Sequence, residues 1–157
     1  MVTASGEAGA TPAVVSEPQA DFAVTMQDYA FVGLPETVPP GRRIWKVTNQ
    51  GPDIHMMIVS SAPAGVTLQE ILDTFQALAP NGTQAPGAPI QESDFGPAMG
   101  QEISSAGQTT WGELDLAAGS YLIACYVPDE ETGMPHAFVG MAALVTAGGS
   151  VEATPTG

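Results

Sequence analysis

The 157-residue chain is poorest in cysteine, histidine and positive charge: it has one Cys, two His and three basic residues. A single cysteine excludes an internal disulfide framework, so Cys125 is a buried small apolar residue, a reactive thiol or a ligand. Arg42, Arg43 and Lys46 stand against 17 acids and leave a formal net charge of −14. Such a surface repels nucleic acid and anionic lipid, which excludes both as partners and favours a cationic one. No stretch approaches the ~20 consecutive apolar residues of a membrane span. A catalytic Ser/His/Asp set is also missing unless it borrows one of the two histidines, and there is no phosphate-binding glycine loop. The expectation is therefore a protein that is not an enzyme. Met1 to Ala20 lacks the charged start and apolar centre of a signal peptide. Its Ala, Gly, Thr, Pro, Glu and Ser read as a flexible tether, one able to hold a domain to a membrane, with an export signal already removed.

What the chain does have is 18 Gly and 14 Pro, the punctuation of a turn-rich β protein. The folded domain is expected over 21–147, with 1–20 as the tether and 148–157 as a disordered tail. Phe22 to Tyr29 alternates Phe22, Val24 and Met26 against smaller or polar neighbours and predicts a strand with one buried face. Three prolines between Gly33 and Gly41 make that segment a loop or irregular edge. Arg42 to Asn49 resumes alternation, with Trp45 and Val47 on one face, and is expected to pair across the turn Asn49–Asp53 with a strand at His55 to Ser60. Thr67 to Ala79 changes period: Leu68, Ile71, Leu72, Phe75 and Leu78 recur at helical spacing behind a Thr67/Glu70 capping box. Pro80 ends this helix, and 80–94 is a long Pro/Gly/Gln-rich excursion. Strands return at Glu102 to Ser105, Gln108 to Leu116, Tyr121 to Val127 and Ala137 to Ala147. The fold class is all-β, a Greek-key β-sandwich with one inserted amphipathic helix at about 67–79.

His55 opens a strand after a turn, Cys125 lies near the end of another, and His136 and Met141 follow in the next loop and strand. Such positions gather at one end of a sandwich. One thiolate, two imidazoles and a thioether form a soft, three-plus-one donor set that suits one mononuclear copper ion better than zinc or iron. Met56, Met57 and Met134 flank these residues in sequence, with Met99 a further candidate neighbour, and thioethers favour Cu(I); copper carriage or storage is accordingly a second reading. A structural or binding module whose metal site has been lost is a third.

The motifs Asn49-x-Gly51-x-x-x-His55, Gly119-Ser-Tyr121-x-x-x-Cys125 and His136-x-x-x-x-Met141, in that order over roughly Phe22 to Ala147, resemble the cupredoxins, the small blue type 1 copper proteins such as plastocyanin and azurin. The resemblance implies the cupredoxin type of sandwich. It also implies His55, Cys125 and His136 as strong copper ligands, Met141 as the axial one, and single-electron transfer in the periplasm or outside the cell. The chain departs from the small members in its spacing. Ten residues separate Cys125 from His136, a loop closer in length to that of copper nitrite reductases. Lengthening a loop from ~4 to ~10 residues costs only about 0.8 kcal/mol of closure entropy. Met56 and Tyr126 stand where an Asn and a small hydroxyl residue are common in the family. Asp53, Asp129, Glu130 and Glu131 would ring the site and steer a cationic redox protein, such as a basic cytochrome or a copper oxidase.

Overall fold

The computed structural model describes residues 12–78 and 89–148. Among the described residues, nine strands form two sheets that enclose a core. They are β1 (Phe22–Gln27), β2 (Ala30–Val32), β3 (Thr37–Val38), β4 (Gly41–Asn49), β5 (His55–Ala62), β6 (Ala98–Ser104), β7 (Thr109–Leu116), β8 (Gly119–Ala124) and β9 (Ala142–Ala147). One sheet runs β2-β1-β4-β7 and the other β3-β9-β8-β5-β6. Alternation places Val24, Met26, Trp45 and Val47 of the first sheet against Met57, Val59, Ile123 and Val145 of the second, all essentially without solvent contact. Each such large apolar side chain contributes about 1.5–3 kcal/mol through burial.

The expected pairing of the second and third main strands does not occur. β4 lies parallel to β1 and antiparallel to β7, whereas β5 lies between β6 and β8 in the opposite sheet. The turn after β4 crosses between sheets instead of closing a hairpin. Asn49 explains this locally: its buried side-chain amide donates to the Asp53 and Ser104 carbonyls, and its side-chain oxygen accepts from the Gly51 amide. One asparagine thus ties the end of β4, the crossing turn and β6 together, and it delivers His55 to the sandwich end. The irregular edge at 33–41 contains a two-residue strand, β3, paired in parallel with β9.

Helix α1 (Leu68–Ala77) carries the expected capping box, with the Thr67 hydroxyl accepting from the Glu70 amide and the Glu70 carboxylate accepting from the Thr67 amide. Its one fully buried residue, Ile71, packs outside the second sheet with Leu122, Ala124 and Ala137. The last strand starts later than the expected Ala137. His136–Val139 forms a single helical turn, which Gly140 ends at φ 116°, and β9 begins only at Ala142. β6 likewise starts at Ala98, earlier than expected, and β8 ends at Ala124, just before Cys125. The Tyr121 of the Gly-x-Tyr motif donates its hydroxyl to the Ala117 carbonyl at 2.8 Å, pinning the β7–β8 turn at the end of β8 away from Cys125. This is the bond made by tyrosine corners in other Greek-key sandwiches. Residues 12–20 form neither strand nor helix, although Glu17 reaches Lys46 at 3.0 Å. Most of the 80–94 excursion and nearly all of the C-terminal tail lie outside the described residues.

Candidate metal centre

Three strands and one helical turn converge at one end of the sandwich. His55 is the first residue of β5, Cys125 follows directly on β8, and His136 starts the helical turn before β9. All three are buried, at no more than 1% exposure. Backbone bonds lock the segments together: the Ala137 amide donates to the Cys125 carbonyl, the His136 amide to the Val127 carbonyl, and the Cys125 amide to the Met141 carbonyl.

The long Cys-to-His loop does not disturb this arrangement. Pro128 and Pro135 bridge across it, the Asp129 amide donates to the Met134 carbonyl, and the Gly133 amide donates back to Asp129. Asp129 also accepts from the backbone and hydroxyl of Thr132. The extra length is therefore an excursion over 129–134 bonded largely to itself, and Cys125 and His136 face each other across its base.

The donor atoms form a triangle. Cys125 Sγ lies 3.5 Å from His136 Nδ1 and 3.9 Å from His55 Nδ1, and the two Nδ1 atoms are 3.2 Å apart. A point equidistant from these corners lies about 2.1 Å from each, the length of metal–nitrogen bonds and slightly short of metal–sulfur bonds. The Cys125 sulfur also accepts from the Met56 amide at 3.4 Å, and burial pushes its thiol pKa up. The His136 pKa is lowered, first by burial and then by the neighbouring His55, which keeps the imidazole neutral and its lone pair available. Met141 is fully buried in the same core cluster as Cys125, and its amide donates to the His136 carbonyl. The structure thus brings the donor atoms of His55, Cys125 and His136 together, with the Met141 backbone bonded to Cys125 and His136. The soft donor set and trigonal spacing fit a single copper ion.

No protein-family profile matches the chain, and neither does any curated protein. Solved structures do match. A dithionite-reduced auracyanin from the photosynthetic bacterium Roseiflexus castenholzii aligns at TM-score 0.50 and 15% identity, over 81% of this chain and 95% of that one. The chain has the cupredoxin fold. Auracyanin A, a "blue" copper protein from Chloroflexus aurantiacus, aligns at TM-score 0.47 and 18% identity, over 80% of this chain and 99% of that one. A purple cupredoxin from Nitrosopumilus maritimus aligns at TM-score 0.39 and 14% identity, over 82% and 100%.

The structure adds neighbours to this cupredoxin end that sequence reasoning did not find. The turn between β1 and β2 carries Asp28 and Tyr29. Asp28 Oδ1 lies 3.0 Å from His55 Nε2. The Tyr29 ring packs edge-on against His136 with centroids 5.1 Å apart, and its hydroxyl donates to Asp129 at 2.5 Å. That bond is the first cause of a Tyr29 pKa raised to about 12 and an Asp129 pKa lowered to about 2. Tyr29 holds φ 66°, the one left-handed non-glycine residue among the described residues. A two-residue turn with no motif signature thus touches both imidazoles.

Proposed function

We propose that this protein is a mononuclear type 1 copper protein that carries single electrons between redox partners outside the cytoplasm and performs no substrate chemistry. His55, Cys125 and His136 would hold the ion strongly and Met141 would be the weak fourth donor. The observation that carries the reading is the buried triangle of two Nδ1 atoms and one Sγ, already at ligand spacing without rearrangement. A bound copper ion would supply a reversible Cu(II)/Cu(I) couple. The chain's part is to exclude water, hold the donors still and keep both imidazoles oriented, so that little reorganises when an electron arrives. Asp28, Asp53 and Asp129 lie close enough to act electrostatically on His136, and with a net charge of −14 they support a cationic redox protein as partner. Among the described residues no helix is long and apolar enough to cross a membrane. The Ala-, Gly- and Pro-rich stretch ahead of Asp21 supports a tethered domain over 21–147, with 148–157 as a tail.

The methionines give the copper-carrier reading less support. Met57 is buried in the sandwich core. Met99 is exposed and lies five residues along β6 from Ser104, the partner of His55, which is roughly 17 Å at strand rise. Voltammetry separates the readings. The copper-loaded protein is expected to show one reversible one-electron wave, lost in Cys125→Ser. Tight Cu(I) binding with no reversible wave would favour carriage, and no copper binding in either state would leave a binding module.

A further inference from the structure

We infer that Asp28 is a positioning residue for the metal centre: its carboxylate fixes the tautomer and orientation of His55 and places a negative charge directly behind that ligand. The role in metal binding rests on the copper reading above, whereas the tautomer does not.

A carboxylate only accepts hydrogen bonds, so the 3.0 Å contact requires the proton of His55 on Nε2. The lone pair is then on Nδ1, the atom that faces Cys125 Sγ and His136 Nδ1. The imidazole is fully buried while the Asp28 side chain is 38% exposed. The pair therefore links the interior of the site to the surface through one hydrogen bond. An anionic partner on a ligating imidazole raises its basicity and favours the more oxidised metal ion.

Gly51 shows that the contact is built into the fold. A Cβ at this position would lie 2.7 Å from His55 Nε2 and 2.9 Å from Asp28 Oδ1, wedged against both partners of the bond. The Gly51 backbone is itself held by the Asn49 side chain at 2.9 Å, and its φ lies outside the left-handed region. Conformation does not demand glycine here; the clearance around the Asp28–His55 pair does. The turn that presents Asp28 is closed by the Gln27–Ala30 pairing of β1 with β2, and Tyr29 in the same turn bonds Asp129 in the loop between Cys125 and His136.

The test uses three variants and three readouts. Only two histidines are present, so long-range nitrogen–proton NMR of the metal-free protein resolves each imidazole tautomer. Wild type and Asp28→Asn, whose amide oxygen can still accept, are expected to keep the His55 proton on Nε2. Asp28→Ala and Gly51→Ala are expected to lose that single form. In the copper-loaded protein, Asp28→Ala and Gly51→Ala should bind about 10–100-fold more weakly, and Asp28→Asn should shift the reduction potential upward. An unchanged His55 tautomer in both alanine variants would overturn the inference. So would a copper-loaded Asp28→Asn protein with the wild-type potential. Failure of every variant and of wild type to bind copper would count against the copper reading alone, because the metal-free tautomers would still report on Asp28.

Discussion

Excising the tip of the Cys-to-His loop should leave the metal centre intact. Replacing 129–134 with Asn-Gly would join Pro128 to Pro135 through a two-residue hairpin turn, the sequence best suited to that connection. The residues between Cys125 and His136 would fall from ten to six, which lowers closure entropy by about 0.5 kcal/mol. The Asp129–Thr132 bonds are internal to the excised piece, so their removal strands no buried partner. The Tyr29 hydroxyl loses Asp129 and returns to water. The bonds that set the donor geometry, Ala137 to Cys125 and His136 to Val127, lie inside the base and remain. Thermal unfolding should therefore shift by only a few degrees, as a change of less than about 1 kcal/mol implies for a domain of this size. Copper affinity, read by competition with a chelator, should change by less than the about tenfold typical of losing an outer ligand contact. Loss of copper binding with retained fold would refute the claim that the base of the loop alone sets the donor geometry, and would make 129–134 part of the site.

Two further outcomes follow from the packing and the helix cap. Ile71→Ala should destabilise by about 2–5 kcal/mol in a denaturant titration, because Ile71 is fully buried against the segment that carries Ala137; a smaller loss would mean that α1 is not anchored through it. The Glu70 pKa is held low by its bonds to the Thr67 backbone and hydroxyl. A carboxylate lowered in the folded state stabilises above its unfolded pKa and loses that contribution as pH falls through the folded value. Stability measured from neutral pH to about pH 3 should thus fall more steeply in wild type than in Glu70→Gln, and parallel curves would remove the cap from the acid response.

Much of this site was legible because its donors are scarce. With one cysteine and two histidines, the order His55, Cys125, His136, Met141 left few ways to assemble a centre, and turn residues placed each at a strand end. The capping box at Thr67 and Glu70 is likewise local chemistry that needs no tertiary information. Strand partners were another matter. Alternation in Arg42 to Asn49 states which face is buried but not which strand lies alongside, and the crossing turn was decided by an asparagine whose amide bonds β6, far away in sequence. Asp28 was illegible for a similar reason. An aspartate in a β-turn has an ordinary local explanation, and its contact with His55 spans 27 residues. Gly51 was the available signal, since it already stood in the motif before His55, but its meaning required knowing which two side chains meet there.

The most direct measurement of the central claim is the visible spectrum of the protein titrated with Cu(II). Sulfur–copper charge transfer requires a thiolate in the coordination sphere, and Cys125 is the sole thiol in the chain. An intense visible band that saturates at one copper per chain and is absent in Cys125→Ser is the predicted result; a titration of wild type that gives no such band would contradict the assignment of His55, Cys125 and His136 as a type 1 copper site.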